Sequence, residues 1–119
     1  MLFTANYFGM SFTAIQLNSG ILEDILYHEL YDTSCKKESH PHQVVRYGNW
    51  LWVVDLGCDT IWHYKIRQRR IEKLNSTKVG EGVGPRHMVV LKERNLLFLV
   101  GELESLVQVY RSGFTVSSF

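Results

Sequence analysis

One pattern constrains this chain more than any other: a short alternating run of apolar and polar residues that returns at nearly even distances. Laying Ile61-Trp62-His63-Tyr64 on Val107-Gln108-Val109-Tyr110 gives a period of 46 residues, and laying Phe12 to Ile15 on the same run gives 49. The later two copies each follow a cluster of reactive side chains, His40-Pro41-His42 in one and Gly84-Pro85-Arg86-His87 in the other. After each cluster comes an apolar run that ends in polar or small residues. These endings are Val53-Val54-Asp55-Leu56-Gly57 and Leu99-Val100-Gly101-Glu102-Leu103. The chain therefore repeats, and each repeat presents one group of polar side chains.

Between these marks the residues read as short strands. Leu2 to Ala5 is an apolar run, Asn6-Tyr7-Phe8-Gly9 a turn, and Ser11 to Leu17 alternates with Phe12 and Ala14 inward. Asn18-Ser19-Gly20 closes a hairpin. Ile21 to Tyr31 is ambiguous, because Ile21, Leu22, Ile25, Leu26 and Leu30 also suit an amphipathic helix; the repeat favours a strand. Asp32 to Ser39 is polar and loop-like. Gln43 to Arg46 and Asn49 to Val54 are strands joined at Tyr47-Gly48-Asn49, and Thr60 to Ile66 runs to a charged tip, Arg67-Gln68-Arg69-Arg70. Met88 to Leu91, Leu96 to Val100 and Leu106 to Tyr110 repeat the order, with a turn at Lys92-Glu93-Arg94-Asn95. Periods of 40 to 50 residues with about four strands each are the signature of propeller blades. The expected fold is all-β, a partial β-propeller of about two and a half blades of four-stranded antiparallel sheet. It spans residues 1–111, and a tail over 112–119 no longer matches the repeat.

Composition narrows the function classes. A net charge of +1 gives no electrostatic footprint for nucleic acid, so no nucleic acid is expected as a partner. No run of eighteen apolar residues is present to span a membrane, so no membrane is expected either. The 45% hydrophobic content is enough for a modest core. Cys35 and Cys58 lie far apart with no CxxC spacing and are expected as free thiols. The N-terminus lacks the basic start and long apolar centre of a secretion signal, so a cytoplasmic setting is expected.

Five segments in order carry a resemblance: A-N-Y-F-G-M-S at Ala5 to Ser11, H-P-H-Q-V-V at His40 to Val45, V-D-L-G-C-D at Val54 to Asp59, G-V-G-P-R-H at Gly82 to His87 and G-E-L at Gly101 to Leu103. Together they resemble the lactonase family of seven-bladed propellers, which includes bacterial-type 6-phosphogluconolactonases and fungal carboxy-muconate cyclases. The resemblance runs from Leu2 to about Arg111. It implies a site at one mouth of the propeller channel and, by motif, the catalytic residues His42, Arg86 and Glu102. Where the family usually has Asn before Glu-Leu, this chain has Gly101, which removes a side chain that could orient the site. The loop Tyr31 to Ser39 is shorter than the family usually carries, and the seven-bladed ring needs more blades than this chain supplies.

These residue types suit lactone opening on their own chemistry. A neutral imidazole such as His42 can take a proton from water, and a guanidinium such as Arg86 can stabilise charge growing on a carbonyl oxygen. Glu102 could orient the imidazole or relay the leaving-group proton. His40, His87 and Asp55 are the candidates for contacting substrate around this trio. Asp55, like Asp59 and Asn6, also suits hydrogen bonding to local backbone at a strand end. Trp50, Trp52 and Trp62 are expected to pack between blades. His40, His42, His87, His63 and a cysteine could in principle supply zinc ligands, but no spacing matches a structural zinc motif, and neither metal nor cofactor is expected. The expected function is a lactonase-like hydrolase of carbohydrate metabolism, 6-phosphogluconolactonase-like, acting on a small-molecule lactone through base-activated water in an open half-site. The alternatives are a muconate cyclase-like isomerase and an inactive propeller piece that associates with itself through exposed blade edges.

Overall fold

Alternating apolar positions fold as strands throughout the computed structural model, which describes residues 1–32 and 35–111. The strands β1 (Leu2–Asn6), β2 (Ser11–Asn18) and β3 (Ile21–Leu30) make a first three-stranded sheet. A four-stranded sheet follows, of β4 (Pro41–Tyr47), β5 (Trp50–Asp55), β6 (Thr60–Arg67) and β7 (Arg70–Lys78). The third sheet holds β8 (Pro85–Leu91), β9 (Leu96–Gly101) and β10 (Leu106–Arg111), with one 3-10 turn, Lys92–Arg94, between β8 and β9. Each strand pairs antiparallel with its neighbour in sequence, so each sheet is a meander. Three small sheets packed in sequence are the partial propeller that the repeat predicts.

The middle sheet explains why its strands read as unbroken apolar runs. Along β5, Leu51 and Val53 face the first sheet, where they join Phe12, Ala14, Tyr31, Trp62 and Tyr64. Trp52 and Val54 face the other way, where they join Ile61, Met88, Leu97 and Leu99 of the third-sheet interface. A sheet covered on both faces needs apolar residues at consecutive positions. Each fully buried Leu or Val adds about 1.5–3 kcal/mol. The packing expected of the tryptophans is found at Trp62, which stacks on Tyr31 with ring centroids 5.2 Å apart, and at Trp52, buried on the opposite face, while Trp50 is half-buried at the edge of that second cluster.

Ile21–Leu30 is a strand although its apolar spacing also fits a helix. Pairing with β2 satisfies its backbone, and the apolar stripe a helix would have buried stays outside: Ile21 is 69% and Ile25 65% exposed. Strand β7, R-I-E-K-L-N-S-T-K, gave no strand signal because it is an edge strand whose residues are mostly exposed.

The turns repeat as closely as the strands. Met10, Asp59 and Ser105 each precede a strand that carries the repeated run, β2, β6 and β10, and each adopt the left-handed backbone region, with φ of 48°, 50° and 51°. The Met10 carbonyl accepts from the Tyr31 amide at 2.8 Å, and the Asp59 carbonyl accepts from the Val79 amide at 3.1 Å. These three residues fall on the 49- and 46-residue periods read from the apolar runs.

The cysteines are not free thiols. Cys35 and Cys58 form a disulfide with Cα atoms 5.8 Å apart. The loop before β4 crosses directly over the β5–β6 turn, so closely that a Cβ on Gly57 would lie 1.9 Å from the Glu38 carbonyl oxygen. Spacing in sequence did not reveal this crossing. The cytoplasmic setting was expected from the N-terminus, and a disulfide does not support the reducing environment that goes with it. No helix among the described residues is long and apolar enough to cross a membrane. The expected tail, 112–119, lies outside the described residues.

Candidate active site

Both reactive clusters open the first strand of a sheet, and both strands begin with a proline. Proline has no N–H to give to a ladder, which suits it to a strand's first position. In β4, Pro41 pairs with Asp55 and Gln43 with Val54, leaving His42 as an extra residue in a bulge. In β8, Pro85 pairs with Gly101 and His87 with Val100, leaving Arg86 as the extra residue. A bulge bends the strand locally and re-aims a side chain, and bulges recur beside active sites. His42 and Arg86 thus occupy equivalent bulges on adjacent sheets. The strands are tied together where the Met88 amide donates to Gln43 Oε1 at 2.6 Å.

Around these bulges the structure gathers most of the candidates. The His42 and His87 rings meet edge to face with centroids 5.0 Å apart. Arg86 Nη1 donates to Glu102 Oε2 in an ion pair whose side chains are 42% and 41% exposed. Glu102 is positioned by its own backbone, since its amide donates to the Gly84 carbonyl at 2.9 Å. The equivalent bond one blade earlier runs from the Leu56 amide to the His40 carbonyl at 3.0 Å. Tyr7, which the sequence did not single out, stacks on His40 at 4.3 Å and meets the His42 ring edge-on at 6.0 Å.

His42 is held neutral. Burial lowers its pKa from the ordinary 6.5, and the neighbouring Arg86 and His87 lower it further, against the opposing pull of Glu102. Its Nδ1 is buried and has no hydrogen-bond partner among the described residues.

His40 and Asp55 belong to the frame of the site. Asp55 is fully buried, and its carboxylate accepts from Ser39 Oγ at 2.6 Å, the His40 amide at 2.9 Å, the Cys58 amide at 3.0 Å and Trp62 Nε1 at 3.0 Å. Asp59, at the other end of the same tight turn, accepts from the Gly82 amide at 2.8 Å and the Gly84 amide at 2.7 Å, and pairs with Lys37 at 3.1 Å. Burial works to raise the Asp59 pKa, but these donors hold it below the ordinary 3.8. The segment V-D-L-G-C-D is therefore a two-ended clamp: Asp55 fixes the histidine loop and Asp59 fixes the arginine loop. Asn6 ties its own turn through side chains instead, donating to Ser11 Oγ at 3.0 Å.

Gly101, where the resemblance leads one to look for Asn, has no room for a side chain. A Cβ there would lie 2.6 Å from Val83 Cγ1 and 3.0 Å from the Val83 carbonyl oxygen. No group of three His, Cys, Asp or Glu among the described residues is arranged to hold a metal ion.

Comparison with known proteins places the chain in a family. The family described as "Lactonase, 7-bladed beta-propeller" matches residues 1–117. No curated protein matches the chain. Among solved structures, the periplasmic gluconolactonase PpgL of Pseudomonas aeruginosa superposes with a TM-score of 0.80 at 25% identity, over 93% of this chain and 35% of its own. A protein from Bacteroides fragilis, provisionally named a 6-phosphogluconolactonase, superposes with a TM-score of 0.81 at 25% identity, over 93% of this chain and 36% of its own. A protein from Lactobacillus plantarum, at 23% identity and a TM-score of 0.79 over 92% of this chain and 34% of its own, shares the fold. The chain spans about a third of the length of the solved structures it matches.

Proposed function

The chain belongs to the lactonase family of seven-bladed β-propellers, and from that premise we propose that its paired bulges form a site that opens the ring of a sugar lactone with water. The observation that carries this reading is His42 in one bulge beside Arg86 in the equivalent bulge of the next sheet.

Each group has a part in the reaction. The His42 imidazole takes a proton from water as the water oxygen bonds to the lactone carbonyl carbon. The carbonyl electron pair moves onto oxygen, where the Arg86 guanidinium stabilises the negative charge. Glu102 keeps that guanidinium oriented. When the intermediate collapses, the ring C–O bond breaks and the departing oxygen takes the proton back from His42. The product is an open-chain hydroxy acid. His87, exposed on the same face, contacts the substrate, while His40 and Asp55 hold the loop that carries His42.

Hydrolysis of gluconolactone and its 6-phosphate by the purified chain, followed by proton release, tests this reading. His42→Gln should lower kcat/KM by about 10²- to 10⁴-fold, the usual range for a lost general base. The pH profile should rise through an apparent pKa below 6.5, because the folded protein keeps His42 neutral below the ordinary value. A hydrolysis rate that ignores His42→Gln would sink the assignment. Turnover of a carboxylated muconate with no lactone hydrolysis would favour the cyclase chemistry instead.

A further inference from the structure

A second feature lies at the same end of the sheets and takes no part in the chemistry above. The Cys35–Cys58 disulfide lies in the wall of an open cavity of about 580 Å³ that is also lined by Lys36, Lys37 and Lys78. Asp59 and Glu81 line it as well, but the Asp59 carboxylate is committed to Lys37 and to the Gly82 and Gly84 amides. Lys78 Nζ donates to Thr60 Oγ1 at 2.8 Å and to the Cys58 carbonyl at 3.2 Å, which sets its charge against the backbone of one bridging cysteine. With Lys37 paired to Asp59, Lys36 and Lys78 stand against Glu81, so the cavity wall is a disulfide with an excess of one positive charge around it.

We propose that this cavity is a thiol-exchange site that selects small anionic thiols. Lysines raise the local concentration of an anionic reagent and stabilise thiolates, which are the attacking and leaving species in exchange. Cys35 is half-buried and Cys58 only 3% exposed, so the incoming thiolate sulfur attacks Cys35 Sγ. A new S–S bond forms to Cys35, the Cys35–Cys58 bond breaks, and Cys58 leaves as a thiolate beside Lys78. A second molecule of the thiol attacks the mixed disulfide, releasing the oxidised dimer of the reagent and leaving Cys35 reduced. Two thiols are oxidised and one protein disulfide is reduced, so electrons balance without another reactant.

The test compares two probes of opposite charge, reduced glutathione and cysteamine, reacting with the oxidised chain and followed by mass spectrometry of the adduct. With rates expressed per thiolate, glutathione should react about tenfold faster at low ionic strength, and the preference should shrink as salt screens the lysines. Lys36→Gln combined with Lys78→Gln should erase the preference while leaving the folded aromatic circular dichroism in place. Equal rates for the two probes, a preference for cysteamine, an adduct on Cys58 alone, or no adduct with either probe would each overturn the proposal. Retention of the preference in the double variant would do so too.

Discussion

Asp59 shows how much one residue can hold. It is the joint acceptor for two amides of the arginine loop and the partner of Lys37, and it sits in a left-handed backbone conformation. Asp59→Ala should cost about 1–3 kcal/mol, the penalty for buried donors left without an acceptor, read as a lower midpoint in urea. Because the folded carboxyl has a lowered pKa, its contribution is present above the ordinary 3.8 and is lost as pH falls through the folded value. The variant should accordingly lose less stability than the parent over that acid range. His63 titrates in a different window. Burial lowers its pKa to about 4, so the folded state resists protonation that the unfolded chain accepts from 6.5 downward. Stability should therefore decline as pH falls from about 6.5 to about 4, and His63→Phe should flatten that decline in a series of thermal melts. The sequence revealed the types of these residues but not their partners. The pairing of Asp59 with Gly82 and Gly84 arises from a chain crossing that no local pattern encodes.

At the scale of elements, the repeat was legible because burial on both faces forces apolar residues into the same strand positions. Ile61 is buried for that reason, and Val107 keeps the same place in its strand one period later although its own face is exposed. The bulges at His42 and Arg86 were not legible, since a bulge is a mismatch between two strands and only the Pro-His and Pro-Arg pairs hinted at it. Strand β7 was missed because its exposed position lets it be polar. Two glycine substitutions follow from the turn geometry. Gly101→Asn, which restores the residue more usual before Glu-Leu, should destabilise the chain, because its Cβ meets both the side chain and the carbonyl of Val83. A gain in lactone turnover without loss of stability would show that Val83 moves aside. Ser105→Gly should do the reverse and raise stability by a few tenths to about 1 kcal/mol, since glycine adopts the left-handed conformation held by Ser105 without a steric cost.

For the whole molecule, the period assigns a role to a surface that no described residue covers. Trp52, Val54 and Ile61 of the middle sheet are buried against the third sheet. One period later stand Phe98, Val100 and Val107 on the matching face of the third sheet, where Val100 is 42% and Val107 60% exposed. Exposed apolar faces of this kind drive association. Sedimentation should show concentration-dependent association of the parent chain, reduced in a Val107→Lys, Val109→Lys double variant with little change in melting temperature. An unchanged association state would assign the contact to another surface. The aspartate clamp, finally, acts in time as well as in space. The β5–β6 hairpin that carries it is built from neighbours in sequence and closes quickly, whereas the loops it secures dock from further away. On a growing chain the histidine loop is already made when this turn emerges, and the arginine loop is still to come. The clamp is thus filled from one side first, and the amides of Gly82 and Gly84 should be the later to gain protection from hydrogen exchange, after that of His40.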